Sequence, residues 1–140
     1  MPRSQPPFTL DGIDHLLLLV DGMEPALGFY RSVLGCVLEE RYPQWGMAQL
    51  RAGSALVNLV DTADSNGAWA LPEKPGGRNM DHFCLALGRH DEGALRRHLA
   101  EHGVEIIEES FHTGARGDSL SLYVRDPSGN VVELKGSPKP

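Results

Sequence analysis

Met80-Asp81-His82-Phe83-Cys84-Leu85-Ala86-Leu87-Gly88 is a short apolar run with a histidine near its start. Ile13-Asp14-His15-Leu16-Leu17-Leu18-Leu19-Val20 has the same form: an apolar residue, an aspartate, a histidine, then a hydrophobic strand. Two copies of one strand, each with a histidine at the same place, point to a duplicated module and to two histidines that meet. The first copy is apolar on both faces, which marks a central, covered strand.

Reading outward, each strand leads into the same series of elements. After Val20, Asp21 offers an N-cap and Pro25 falls in the first helical turn, where its missing N–H costs nothing. Leu27, Tyr30 and Leu34 recur on one helical face, and Gly35 closes the helix. Residues 36–42, 46–52 and 55–60 read as strands, the last two joined by a hairpin at Gly53-Ser54. After Gly88, Asp91 caps a helix with Leu95 and Leu99 facing inward, and Gly103 ends it. Residues 104–109, 119–125 and 130–135 read as strands, with Asp126-Pro127-Ser128-Gly129 as the turn between the last two. His15 precedes Gly35 by 20 residues and His82 precedes Gly103 by 21. Each half is therefore strand, helix, three strands, an α+β chain. The first module covers 11–62 and the second 80–136. The linker between them, 63–79, is rich in Gly and Pro and long enough to fold over a site.

The chain has 140 residues, 41% hydrophobic and 23% charged, which suits a domain with a real core. Nineteen acidic against thirteen basic residues give a net charge of −6. An acidic chain without a basic stripe excludes nucleic acid as the expected partner. No apolar run has membrane-spanning length and no signal peptide opens the chain, so the expected location is the cytoplasm. Cys36 and Cys84 are then reduced core residues. The Pro-rich residues 1–10 and the tail 136–140 read as loose ends.

Strand alternation puts His15 on a face with Leu17 and Leu19, and His82 on a face with Cys84 and Ala86. Glu133 lies between Val132 and Leu134, and the repeat sets Asn58 at the equivalent place in the first module. A carboxylate among apolar residues needs a cation or strong donors. Two imidazoles and one carboxylate on three strands would hold a divalent metal and leave positions open for substrate. The alternative is a pair of hydrogen-bonded core histidines, with Glu133 paired to a cation such as Arg125. Tyr123 shares a face with Ser121 and Ser119 and is a candidate general acid. Arg116, in a glycine-flanked loop, could meet an anionic substrate. His112 is a candidate base beside the site. His98 and His102, at i and i+4 on a helix, read as a solvated face. Trp45 and Trp69 either wall a cavity or pack.

Gly12-Ile13-Asp14-His15, the helix segment from Ala26 through Phe29-Tyr30 to Leu34-Gly35, and Tyr123-Val124-Arg125-Asp126-Pro127-Ser128-Gly129-Asn130-Val131-Val132-Glu133 resemble the vicinal oxygen chelate superfamily. That superfamily joins glyoxalases, bleomycin-resistance proteins and extradiol dioxygenases. The overall look, through residues 112–117 and 121–123, is nearest to its glyoxalase-domain, virulence-protein-like members. The resemblance implies two βαβββ modules forming a curled mixed sheet around a metal, and it puts His15, His82 and Glu133 on three metal positions. It implies Mn, Fe, Ni or Zn, and a homodimer with modules paired between subunits. It implies a metal-dependent enzyme acting on a small vicinal-oxygen substrate by lyase or isomerase, thiol-transfer or ring-cleavage chemistry. The alternative it leaves is a non-catalytic protein that sequesters an antibiotic. Ser121 and Tyr123 match substrate-side positions of fosfomycin-resistance thiol transferases, although Leu17 stands where those carry threonine. Asn58 stands where glyoxalases usually carry a glutamate. An amide is no general base, so Asn58 is a substrate-binding candidate.

Overall fold

The computed structural model describes residues 6–7, 11–70 and 80–138. Most of the expected linker (71–79) and of the loose ends (1–5, 8–10, 139–140) lies outside these. Two mixed four-stranded sheets make up the fold. The first holds β1 (His15–Val20), β2 (Val37–Tyr42), β3 (Met47–Ala52) and β4 (Ala55–Asp61), in the order β1-β4-β3-β2. The second holds β5 (Phe83–Ala86), β6 (Glu108–His112), β7 (Ser119–Arg125) and β8 (Val131–Lys135), in the order β5-β8-β7-β6. Within each sheet the first strand runs parallel to the last and the other pairs are antiparallel. The sheets remain separate and neither closes on itself.

The duplication extends to the register. Leu17 pairs with Asn58, which pairs with Gln49. In the second sheet Cys84 pairs with Glu133, which pairs with Tyr123. His15 lies two residues before Leu17 and His82 two before Cys84, so the histidines occupy equivalent places, and so do Asn58 and Glu133.

Helix α1 (Met23–Gly28) continues into a π-helical turn, Phe29–Val33, and the chain reverses at Gly35 with φ 79°. Its N-terminus is capped from a distance. The Asp61 carboxylate accepts from the N–H groups of Gly22 (2.9 Å) and Met23 (3.0 Å). The expected cap, Asp21, instead gives its own N–H to Ser128 Oγ at 2.8 Å. Asp61 ends the strand parallel to β1, so the sheet delivers a carboxylate to the helix start, and this satisfies donors the helix leaves open. Helix α2 (Glu92–Glu101) is capped as expected, Asp91 accepting from Ala94 N–H at 3.0 Å.

One core joins both halves. Leu18, Val20, Tyr30, Leu50, Leu59, Leu99, Leu122, Val124, Val132 and Leu134 form a single buried cluster. His98 also bridges the halves, its Nε2 lying 2.7 Å from Val33 O. It is not part of a fully solvated face. The tightest polar link is the turn after β7. Asp126 is 4% exposed; its Oδ2 accepts from Tyr30 OH (2.8 Å) and Asn130 Nδ2 (2.8 Å), and its Oδ1 from the N–H groups of Ser128 and Asn130. Burial and the adjacent carboxylate push the Tyr30 phenol well up, so it stays a donor. Asp126→Ala would strand that hydroxyl and two backbone donors, and a loss of about 3 kcal/mol is expected in urea unfolding. Tyr30→Phe, which leaves fewer orphans, should cost about 1 kcal/mol in the same measurement.

Three further expectations change. The first strand is not covered on both faces. β1 is an edge strand: Leu17 is 39% exposed, and Ile13, just ahead of the strand, is 73% exposed. Its core-facing residues pack inward, while the face carrying His15 and Leu17 has no partner among the described residues of one chain. Strand β6 begins at Glu108 rather than 104, because Val104 N–H turns back to Leu99 O (2.8 Å) and Val104 and Ile106 pack on the core as single residues. Cys36 is buried, but Cys84 is exposed, since it faces the same way as Glu133, away from the core. No helix among the described residues is long and apolar enough to cross a membrane.

Candidate metal centre

Strand β8 sends Val132 and Leu134 into the core and Glu133 to the opposite face. Glu133 is nevertheless only 2% exposed. Ser121 Oγ donates to its Oε2 at 2.6 Å. His82 Nε2 lies 3.0 Å from its Oε1, and His112 Nε2 lies 3.2 Å from its Oε2. Burial pushes this carboxyl up, but hydrogen bonds from Ser121 and Tyr123 and the nearby His112 and His82 outweigh it and hold the group below its ordinary value. It is a carboxylate at neutral pH.

His82 sits just ahead of β5, not within it, and its Nδ1 lies 2.7 Å from Asp81 Oδ2. That hydrogen bond, assisted by Glu133, raises the imidazole pKa. It also fixes the ring so that Nε2 is the nitrogen aimed at Glu133. His112 closes β6. Its Nδ1 donates to Thr113 O at 2.8 Å, since a carbonyl can only accept, and its Nε2 meets Tyr123 OH at 3.0 Å. Burial raises the Tyr123 phenol pKa. A cavity of about 400 Å³ opens on this face, lined by His82, Cys84, His112, Arg116, Glu133 and Lys135 among others. Arg116 reaches it, but its guanidinium already donates to the carbonyls of Leu87, Lys135 and Gly136. Lys135, 5% exposed, gives its ammonium to His112 O at 2.7 Å.

His15 repeats the His82 arrangement on the first sheet, with Nδ1 2.6 Å from Asp14 Oδ1. It lines a separate cavity of about 550 Å³ with Leu17, Trp45, Met47, Gln49, Asn58 and Trp69. Asn58 is 4% exposed, and its Oδ1 has no hydrogen-bond partner among the described residues. The structure thus brings His82, Glu133, Ser121 and Tyr123 together, with Arg116 at the rim, and leaves His15 and Asn58 on the other open face. Among the described residues of one chain, no three His, Cys, Asp or Glu side chains are placed to hold a metal.

Two pocket residues fall outside the site candidates read from the sequence. Cys84 and Lys135 lie two residues beyond His82 and Glu133, so strand alternation alone puts them on the site face. The sequence reading ends β6 at residue 109, whereas the strand runs to His112 and puts its ring beside Glu133.

The profile of the Glyoxalase/Bleomycin resistance protein/Dioxygenase superfamily matches residues 12–134. The chain belongs to that superfamily. It is 33% identical over 134 residues to the glyoxalase domain-containing protein RDO1 of Mycosarcoma maydis, covering 94% of this chain and 72% of that one. It is 30% identical over 126 residues to virulence protein STM3117 of Salmonella typhimurium, covering 89% and 83%. Among solved structures, an integron cassette protein from the mobile metagenome of V. cholerae superposes with a TM-score of 0.73 at 26% identity, covering 94% of this chain and 98% of that one. Other similar proteins bear names as different as methylmalonyl-CoA epimerase, glutathione transferase FosA and metapyrocatechase.

Proposed function

We propose that this protein is a divalent-metal-dependent enzyme acting on a small molecule that offers adjacent oxygens to the ion. His82 and Glu133 of one chain and His15 of the partner subunit would hold the metal in a homodimer. The observation that carries this reading is the geometry of the donors. Two ligand atoms bound side by side to one ion at about 2.1 Å stand about 3 Å apart, and His82 Nε2 and Glu133 Oε1 are 3.0 Å apart. Both histidines have Nδ1 engaged by a neighbouring aspartate, the arrangement that frees Nε2 for a metal and raises its basicity. Among the described residues of one chain neither open face has a cover, and a second copy would supply one.

Two imidazoles and a carboxylate favour Mn, Fe, Ni or Zn over Ca or Mg. Held there with open positions, such an ion would supply Lewis-acid chemistry to a substrate carbonyl or hydroxyl. The chain's own groups act around it. Ser121 Oγ holds Glu133 in place. Tyr123 keeps its proton at neutral pH, and its OH, now 3.0 Å from His112 Nε2, would have to turn from that partner to donate to a substrate oxygen. The names of the relatives leave isomerisation or lyase chemistry, thiol transfer and ring cleavage open. The intact aspartate–histidine pairs favour catalysis over antibiotic sequestration. Two free cysteines support a cytoplasmic setting.

Elemental analysis of purified protein, followed by turnover assays with a thiol–aldehyde adduct, an epoxide plus thiol, and a catechol, tests the proposal. Metal-free protein without turnover of any of them would sink it. Asp81→Asn should weaken metal binding about 10- to 100-fold in chelator competition. Protons compete for the same His82 Nε2. Because that pKa is raised, metal affinity should begin to weaken at a higher pH than an unperturbed histidine would give, as read by competition at a series of pH values.

A further inference from the structure

The cavity beside His15 has two built features that metal binding does not require. The first is its wall. Trp45 and Trp69 are 48% and 57% exposed, yet they are held firmly. Trp45 ends a 3₁₀ turn, Pro43–Trp45, and Trp69 lies in another, Ser65–Ala70. Trp69 Nε1 donates to Trp45 O at 2.9 Å, Asn66 Nδ2 donates to Pro43 O at 3.1 Å, and Tyr42 stacks on Trp45 with ring centres 5.1 Å apart. The two turns meet glycine to glycine: a Cβ on Gly46 would lie 2.8 Å from Gly67 N. Large apolar rings displayed to solvent on a rigid mount form a surface for something to pack on.

The second feature is Asn58. Its Oδ1 is buried without a hydrogen-bond partner among the described residues, on the strand that floors the cavity. A buried acceptor left unmet is costly, and a bound donor relieves that cost. The equivalent place in the second sheet carries Glu133, which is fully engaged. The two equivalent positions have therefore diverged, Glu133 toward a cation and Asn58 toward a neutral donor.

We propose that this cavity takes a flat, apolar ring bearing an O–H or N–H donor, packed against Trp45 and Trp69, with Asn58 Oδ1 accepting from the donor. Asn58 is then the residue that sets substrate specificity. The step from binding to chemistry rests on the reading of His15 as a metal ligand, because His15 lines the same cavity and would bring the ring's substituents to the ion. The binding step does not.

Trp45 and Trp69 are the only two tryptophans in the chain, so intrinsic fluorescence reports on this cavity. Chelator-treated, metal-free protein is titrated with phenol and with anisole. They share a ring, only phenol has a donor, and neither chelates a metal. Phenol should change tryptophan emission saturably, with anisole binding about tenfold more weakly. In Asn58→Leu the two ligands should bind within about twofold of each other, since the acceptor is gone but the branched shape is kept. That variant should melt no lower than wild type, because an unmet polar group has been replaced by an apolar one. Equal binding of phenol and anisole by wild type overturns the proposal, as does no emission change with either. Discrimination that survives in Asn58→Leu overturns the assignment to Asn58. Metal content is measured separately, so failure of the metal reading leaves these outcomes distinct.

Discussion

His82→Ala protein should purify without stoichiometric divalent metal, where wild type carries about one ion per chain. Removing a direct ligand from a set of three costs more than the 10- to 100-fold expected for loss of an outer hydrogen-bond partner. A substoichiometric trace at most is therefore expected by elemental analysis after desalting. The substitution is also a clean one. His82 precedes β5, and the core is served by Phe83 and Leu85 on the other face. Glu133 keeps the hydrogen bond from Ser121 Oγ at 2.6 Å, so the buried carboxylate is not left bare. The metal-free variant should then melt close to metal-free wild type. Full metal content in His82→Ala would refute the assignment. Loss of fold would point to a structural imidazole, and Glu133→Gln, which keeps size and a donor–acceptor end, separates the two.

The sequence made the duplication plain because an aspartate–histidine pair ahead of an apolar strand recurs with the same distance to a helix-closing glycine. Register then follows from alternation, which is why Asn58 and Glu133 could be matched before any coordinates. Other features depend on contacts that local pattern does not encode. Asp61 caps α1 from across the sheet, and nothing near Asp21 signals that its own side chain is not used. The shift of β6 to Glu108 reflects the packing of Val104 and Ile106 on the core, which competes with strand pairing and wins. Leu17 reads as buried on any apolar scale, yet it stands on an open face, because a strand apolar on both sides shows that a cover is needed and not which chain supplies it. Cys84 misleads for the same reason.

That last point leads to the second large effect. If His15 acts across the dimer, two variants that each fail alone should repair one another. His15→Ala and Glu133→Ala homodimers would both lack a complete ligand set. A mixed dimer keeps one intact set, made of His82 and Glu133 from the first chain and His15 from the second, while both lesions fall in its other site. This follows from the two-fold symmetry of such a pair. Co-expression under two affinity tags and purification through both isolates the mixed dimer. Its metal content, measured by elemental analysis, is the most direct reading of where the site lies. About one ion per mixed dimer, against none in either parent, is the predicted result. A mixed dimer as empty as its parents, or a His15→Ala parent that keeps its metal, would contradict a centre shared between two chains.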